Sequence, residues 1–218
     1  MIMSSRCFKL SSRRVLAFCL FLFLAVTLFA QNRPDALQAY RDGNFERSVQ
    51  ICRDEISENR NNVEAHVVIC WSLMALGRYD EALRYALAAR NLSRYDIRII
   101  RNLGEISYYM GRNHDALQYF QEFISLAPAG TRIETVYYFL GEIYIRMGRF
   151  RHADIALSTA VYHTPGNAAW WTRLAYAREN AGDLMEAVTA YERAITLNPQ
   201  LGDARRGLER ARQTLSRL

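Results

Sequence analysis

The chain has 218 residues, half of them apolar, so it is long enough and apolar enough to bury a core. Its net charge of +6 is misleading, because four of its 28 basic residues lie in the first fourteen positions, ahead of any acidic residue. The other 24 are arginines interleaved with 22 acidic residues, a distribution that argues against a nucleic-acid-binding surface.

The first predicted element is an export leader at residues 1–30. A basic segment is followed by an apolar run over residues 15–29 with one polar residue, and then by Ala30. This order is typical of a secretory signal peptide. Fifteen positions are fewer than the ~20 that a membrane-spanning helix needs. We therefore expect cleavage after Ala30 and an exported protein, periplasmic or envelope-associated. An uncleaved inner-membrane anchor through residues 15–30 is the alternative.

After the leader, a six-residue motif recurs five times. Each copy begins with a glycine and usually has a large apolar residue two positions on and a small residue five positions on. The motif glycines are Gly43, Gly77, Gly111, Gly148 and Gly182. They are 34, 34, 37 and 34 residues apart, and we expect the three extra residues, 131–133, to lie in a loop. A fixed period of this length predicts a repeat architecture.

Helical periodicity flanks these glycines. In the fourth copy, Tyr137, Leu140 and Tyr144 share one helical face before the glycine, and Phe150 and Leu157 share one after it. Two helices of about a dozen residues joined at a glycine form a helical hairpin. Each copy of the motif therefore predicts the turn of one hairpin.

These features resemble the tetratricopeptide repeat over almost the whole chain after the leader. Small residues stand where this family needs them, at Cys70, Gly104, Gly141 and Ala175 in first helices and at Ser48, Ala82, Ala116, Ala153 and Ala187 in second helices. The resemblance implies an all-α fold, a right-handed α-solenoid of about five hairpins plus a C-terminal capping helix. The predicted segments are repeats at 33–62 (degenerate), 63–96, 97–130, 134–167 and 168–201, and the cap at 202–218.

The resemblance also implies a binding surface. In this family the first helix of each repeat lines the concave inner wall, where the residues between the packing positions meet a partner. Here that wall is aromatic with arginines and glutamates among the rings, and aromatic and arginine residues often dominate interface energy. The predicted partner-binding residues are Tyr40, Trp71, Met74, Arg101, Glu105, Tyr108, Tyr109, Tyr138, Phe139, Glu142, Arg173 and Tyr176. Packing of single rings against neighbouring helices is the alternative.

Candidate chemistry is sparse. The four histidines fall at unrelated repeat positions, without ligand spacing to one another or to a cysteine. The sequence also lacks a phosphate-binding loop and a nucleophile motif. We therefore predict no metal, no cofactor and no enzymatic activity. Some members of the family bind the C-termini of chaperones through a two-carboxylate clamp of lysine and asparagine side chains. That clamp is absent here, because its positions hold Val67 and Trp71 in one repeat and Arg101 and Glu105 in the next.

Two cysteines follow the leader, Cys52 and Cys70. They are too few and too far apart for a metal cluster or a disulfide framework. The predicted helices that carry them pack together. We expect two buried free thiols, and the alternative is a disulfide formed after export.

Two functions from different classes remain. The first is a non-enzymatic scaffold or adaptor that holds an extended or helical protein segment in the groove. The second is a carrier or transport-accessory protein that receives a small apolar ligand there. An enclosed pocket would favour the carrier, whereas an open groove with charged residues along it favours a protein or peptide segment. We prefer the adaptor and expect no nucleic acid and no membrane contact beyond the leader.

Overall fold

The computed structural model describes residues 35–217, so the predicted leader lies outside it. The described residues form eleven helices and no strand. In chain order the helices are α1 (Ala36–Arg41), α2 (Phe45–Glu58), α3 (Val63–Ala75), α4 (Tyr79–Leu92), α5 (Ile97–Tyr109), α6 (Asn113–Leu126), α7 (Ile133–Arg146), α8 (Phe150–His163), α9 (Ala168–Ala181), α10 (Leu184–Leu197) and α11 (Gly202–Leu215). None of the helices between residues 35 and 217 is long and apolar enough to cross a bilayer.

Successive helices pack as five hairpins, from α1–α2 to α9–α10, and α11 packs on α10. The predicted all-α array of hairpins with a terminal helix is confirmed. We number the hairpins as repeats 1 to 5. The first helices of the five repeats are α1, α3, α5, α7 and α9.

The boundary between repeats 3 and 4 differs from the prediction. We expected residues 131–133 to form a loop, but Ile133 is the first residue of α7 and only 5% exposed. Its apolar side chain belongs to the core cluster around α5, α6 and α7, and burial of that side chain favours its inclusion in the helix. Thr131 and Arg132 remain outside the helix, with Arg132 as its N-terminal cap residue.

The five motif glycines form the turns inside the hairpins. Their φ angles lie between 67° and 87°, in the left-handed region that residues with a Cβ rarely adopt. A Cβ at any of the five would have no other atom within 4 Å apart from its own chain neighbours. The glycines are therefore required by backbone conformation and not by lack of space.

A second group of glycines allows helices to approach closely. A Cβ on Gly141 would lie 2.4 Å from Leu157 Cγ, and one on Gly104 would lie 2.5 Å from Phe120 Cε1. Carbon atoms in contact prefer separations of about 3.5–4.0 Å, so neither position has room for a side chain. The first and second helices of repeats 3 and 4 thus pack so closely that the small residues of the sequence pattern are required at their crossings.

The terminal helix is joined to repeat 5 in a similar way. A Cβ on Gly207 would lie 2.2 Å from Tyr191 Cζ. The Tyr191 hydroxyl donates to Glu179 Oε2 at 2.6 Å, and Arg210 donates two hydrogen bonds to the same carboxylate at 2.9 and 3.0 Å. These contacts tie α9, α10 and α11 together.

Cys52 and Cys70 are both free and buried. Burial raises the pKa of the Cys52 thiol to about 12, and burial raises the pKa of Cys70 as well. The Cys70 thiol faces the Ala82 carbonyl oxygen at 3.5 Å. Both side chains are part of the core around α2, α3 and α4.

Candidate functional site

A cleft of about 810 Å³ opens along the first helices of repeats 1 to 3. We call it the N-terminal cleft. Its wall consists of residues from α1, α3, α5, the start of α4, the end of α6 and the loop before α7. The lining residues are Tyr40, Trp71, Met74, Ala75, Tyr79, Ile97, Arg98, Arg101, Glu105, Tyr109, Phe123, Thr131 and Arg132. Six of the twelve predicted binding residues are among them.

Aromatic rings form one side of the cleft. The Tyr40 and Trp71 ring centroids are 5.7 Å apart, and Tyr79 and Tyr109 stack with centroids 5.1 Å apart and planes 10° apart. Tyr109 nevertheless leaves 47% of its surface exposed. Large exposed rings held by neighbouring rings are well suited to bury an apolar group of a partner.

Asn102 fixes the orientation of Trp71 from behind. The Trp71 indole N–H donates to Asn102 Oδ1 at 2.9 Å, and the Asn102 amide donates to the Val67 carbonyl oxygen at 3.4 Å. Asn102 is 1% exposed, so it acts from within the protein. This buried amide holds the indole in place before any partner binds.

An incompletely satisfied ion pair lies in the same cleft. Arg101 Nε is 3.2 Å from Glu105 Oε1, yet it is buried without an aligned hydrogen-bond partner among the described residues. Burial raises the pKa of Glu105 and lowers the pKa of Arg101, and their mutual attraction opposes both shifts. The attraction between two buried charges that share one poorly aligned contact offsets only part of the cost of removing them from water.

The repeat register explains this weak pairing. At two of the four junctions between repeats, the residue six positions before one turn glycine makes a hydrogen bond with the residue nine positions before the next turn glycine. Between repeats 1 and 2 the same positions hold the apolar residues Leu37 and Val68. Trp71 thus pairs with Asn102 across repeats 2 and 3. Glu142 pairs with Arg173 across repeats 4 and 5, accepting two hydrogen bonds at 2.5 and 3.0 Å. We call these two contacts the inter-repeat pairs.

The inter-repeat pair is missing between repeats 3 and 4. Glu105 stands at the register position of Glu142, but the residue at the position of Arg173 is Phe139. An apolar ring supplies no hydrogen-bond donor to a carboxylate. Glu105 is therefore left with Arg101, which lies on its own helix.

The other six predicted residues lie outside the N-terminal cleft and are engaged within the protein. They are Tyr108, Tyr138, Phe139, Glu142, Arg173 and Tyr176. Tyr138 stacks on Trp170 with centroids 5.0 Å apart, and the Arg173 guanidinium lies 5.2 Å from the centre of the Tyr176 ring. This part of the wall is filled by contacts between repeats 4 and 5.

Two of those residues belong to the core, which corrects our expectation that they face the groove. Tyr108 is 9% exposed and Phe139 is 7% exposed, with ring centroids 4.8 Å apart. The Arg146 guanidinium covers the Tyr108 ring at 3.7 Å and donates to the Tyr108 carbonyl oxygen at 3.0 Å. Repeat 4 packs on α5 through these side chains, so they are packing residues.

The lining residues outside the predicted set include Tyr79, Ile97, Thr131 and Arg132. Tyr79 stands in a turn motif, and Thr131 and Arg132 lie where the sequence predicts a plain connection between repeats. Arg132 has a φ of 71°, the only positive φ at a non-glycine residue in the described range. The break in the 34-residue period was the sequence signal that could have revealed the two loop residues.

The cleft therefore combines apolar and charged side chains that can bind a ligand without reacting with it. Its wall presents five aromatic rings, a methionine, three guanidinium groups and one carboxylate. Within residues 35–217, no group of three or more His, Cys, Asp or Glu side chains is placed to hold a metal ion. Burial of apolar surface and charge-assisted hydrogen bonds are the interactions that these groups supply.

Family comparison agrees with the register. Tetratricopeptide repeat profiles match residues 98–129, which cover most of α5 and α6, and residues 138–202, from α7 to the start of α11. Residues 98–129 and 138–202 are therefore tetratricopeptide repeats, and the predicted resemblance to that superfamily is confirmed. Comparison with curated proteins gives no match. The TPR assignment therefore rests on the family profiles, the hairpin geometry and solved structures.

Several solved TPR structures share this fold. MamA superposes with a TM-score of 0.64 at 21% identity, covering 76% of this chain and 88% of its own. TTC0263, a thermophilic TPR protein from Thermus thermophilus, gives 0.60 at 19% identity, covering 81% and 94%. YrrB, a TPR protein with an unusual peptide-binding site, gives 0.67 at 15% identity, covering 84% and 97%. At these identities the likeness shows the fold alone.

Proposed function

We propose that this TPR protein is an interaction module that binds an apolar segment of a partner protein in the N-terminal cleft. TPR proteins are generally interaction scaffolds, and YrrB has a peptide-binding site. The observation that carries the proposal is that partly exposed rings and the incompletely paired Arg101 and Glu105 lie in one open cleft. The corresponding wall of repeats 4 and 5 is filled by the protein's own contacts.

The arrangement favours affinity because little has to be ordered on binding. Trp71 is held by Asn102, and Tyr109 is stacked on Tyr79. Immobilising a free side chain costs ~0.5–1.5 kcal/mol, and a ring that is already held avoids most of that cost. An apolar side chain of the partner would fill the space between the two ring pairs.

A small-ligand carrier is the second candidate function. The observation in its favour is the cleft volume of about 810 Å³, because sites for small molecules typically measure ~300–1,000 Å³. The charged side chains Arg98, Arg101 and Glu105 on the wall favour a protein segment, because they give hydrogen-bonding groups along an open surface.

One selection experiment tests both functions. Random dodecapeptides would be selected on the immobilised protein, and the fluorescent probe N-phenyl-1-naphthylamine would be titrated separately. We expect enriched peptides whose affinity falls by ~2 kcal/mol or more in Trp71→Ala, as truncation of a dominant interface aromatic does. Tyr162→Ala is the matched control, because this α8 ring is 82% exposed and away from the cleft.

The outcomes separate the candidates. Peptide binding that Trp71→Ala removes and Tyr162→Ala leaves intact supports the interaction module. Saturable probe binding that requires Trp71, without any enriched peptide, supports the carrier. If both ligands bind the two variants equally well, the cleft is not the binding site.

For localisation, we propose that the protein is exported by a leader at residues 1–30. The support is the order of basic segment, apolar run and Ala30 in the sequence. N-terminal sequencing of the protein from cell fractions tests it. A start at Gln31 indicates cleavage, and Met1 retained on membranes indicates an anchor. Met1 on protein confined to the cytosol contradicts export.

A further inference from the structure

Three irregularities coincide at the junction of repeats 3 and 4. The 34-residue period is extended to 37 there, and the inter-repeat pair is missing. Arg132, within the extra residues, has a left-handed backbone. Thr131 and Arg132 both line the N-terminal cleft. The extra residues therefore build part of the binding surface.

The charges of the cleft wall are unbalanced towards the positive. Three arginines and one glutamate line it. Arg98 is satisfied by ion pairs with Asp96 and Glu64. Arg132 makes no ion pair within 4 Å among residues 35–217, although its charge also stabilises the Glu105 carboxylate at longer range. Arg101 has only its misaligned contact with Glu105.

One further acidic group influences this region from outside the wall. Glu134 lies close enough to stabilise the charge of Arg101, whereas Arg132 opposes it. Glu134 does not line the cleft and makes no ion pair with Arg132 in the described part of the chain. A carboxylate that enters the cleft would thus meet the exposed guanidinium group of Arg132 and, deeper in the wall, the largely buried one of Arg101.

We infer that the extra residues between repeats 3 and 4 make the cleft selective for a partner segment that carries an acidic side chain beside its apolar residues. Arg132 and Arg101 bind the carboxylate, and the rings bind the apolar residues. The inference rests on the proposed function, because it specifies the partner that the same cleft takes.

The backbone of Arg132 supports this role. A left-handed φ is unfavourable for arginine, which lacks the short polar side chain that helps asparagine or aspartate adopt it. Its side chain is not used to cap α7. A residue held in an unfavourable conformation beside a ligand cleft is a common feature of functional sites.

The test uses a library of random dodecapeptides with amidated C-termini, selected on the purified protein and on two variants. Arg132→Gln removes the charge. Arg112→Gln is the matched control, because Arg112 caps α6 without a side-chain hydrogen bond and does not line the cleft. We expect the parent and Arg112→Gln to enrich Asp or Glu next to apolar residues, and Arg132→Gln to lose that enrichment.

A peptide from the parent selection gives the quantitative arm. Changing its acidic residue to the amide should weaken binding to the parent about tenfold, as loss of a charged hydrogen bond does. The same change should have little effect on binding to Arg132→Gln. Arg132→Gly provides a second variant, because glycine accepts the positive φ without strain.

The outcomes distinguish this inference from the proposed function. If no peptide is enriched, both fail. If peptides are enriched without acidic residues, or the acidic preference survives in Arg132→Gln and Arg132→Gly, only the selectivity inference is overturned. A preference that appears only in a library with free C-terminal carboxylates would also overturn it, because the source would not be a side chain.

Discussion

The two ends of the inner wall use equivalent positions differently. In repeat 4, Glu142 accepts two hydrogen bonds from Arg173 of the following repeat. In repeat 3, Glu105 has the same register, but the corresponding position of the next repeat is Phe139. Among residues 35–217, Glu105 makes its ion pair with Arg101 of its own helix. The comparison shows that the following repeat determines whether a residue of the inner wall is hydrogen-bonded within the protein or remains able to contact a ligand. The N-terminal cleft is the region where it remains so.

The largest expected effect separates two adjacent tyrosines. Tyr108→Ala should lower the free energy of unfolding by ~3–5 kcal/mol, as truncation of a core aromatic does. Tyr109→Ala should cost less, about 1–2 kcal/mol, because this ring is half exposed and the substitution removes only ring contacts, with Tyr79 and Phe139 among them. Urea denaturation of both variants measures the difference. Equal losses of stability would contradict the division between packing and cleft residues.

Helix crossings should respond alike in both regions. Gly104→Leu and Gly141→Leu each place a side chain where even a Cβ lies within 2.5 Å of a neighbour. We expect losses near ~3 kcal/mol in each, the upper end for overpacked cores. Gly166→Leu is the control, because nothing lies within 4 Å of a Cβ there. An unchanged midpoint at Gly141 would show that the repeat register is wrong.

Neutralising the equivalent carboxylates of repeats 3 and 4 compares their contributions to stability directly. Glu142→Gln should lower stability by ~1.5–3 kcal/mol, because Arg173 loses a charged acceptor. Glu105→Gln should change stability by less than about 0.5 kcal/mol or increase it, because burial disfavours the charged form of Glu105 more than Arg101 stabilises it. Matched denaturant titrations at neutral pH test this. A larger loss for Glu105→Gln would reverse the comparison.

The smallest effect is a dependence on pH. Burial raises the pKa of Glu105 above its ordinary value of 4.5, so the native state binds this proton more tightly than the unfolded state. The contribution of Glu105 to stability therefore declines as the pH rises above about 4.5. We therefore expect the parent protein to lose stability relative to Glu105→Gln as the pH is raised from about 4 to about 8. A difference between the two proteins that stays flat from about pH 4 to about pH 8 would contradict this.

The fold was predictable because its determinants are local. Each turn needs a residue that adopts a positive φ, and each helix crossing needs a residue without bulk. Both requirements are visible as glycines and small residues at fixed spacing, as at Gly148 and Gly141. The sequence pattern therefore led to the correct superfamily and architecture.

The candidate site was only partly predictable because its determinants are not local. Tyr108 and Tyr109 are consecutive residues at the end of α5, and only the packing of Phe139 and Arg146 shows which ring is buried. The weak pairing of Glu105 likewise depends on a residue from the following repeat. Arg132 is not predicted because the break in the period marks an insertion but does not distinguish one that lines a cleft from a plain connection between repeats.

The close crossings also bear on how such a chain can change over evolutionary time. In repeat 3 the crossing pair is Gly104 and Phe120, and the equivalent positions of repeat 2 hold Cys70 and Ala86. Between these two repeats, the larger residue on the first helix accompanies a smaller one on the second. Repeat 5 instead has Ala175 and Tyr191 at these positions, and the Tyr191 ring lies against Gly207 of α11. In the repeat 3 pair, a larger residue in place of Gly104 alone would clash with the Phe120 ring, and a smaller residue in place of Phe120 alone would leave a cavity. A substitution at such a close crossing is therefore expected to persist only with a compensating substitution in a helix that packs against it, which is the partner helix or the next one along the chain.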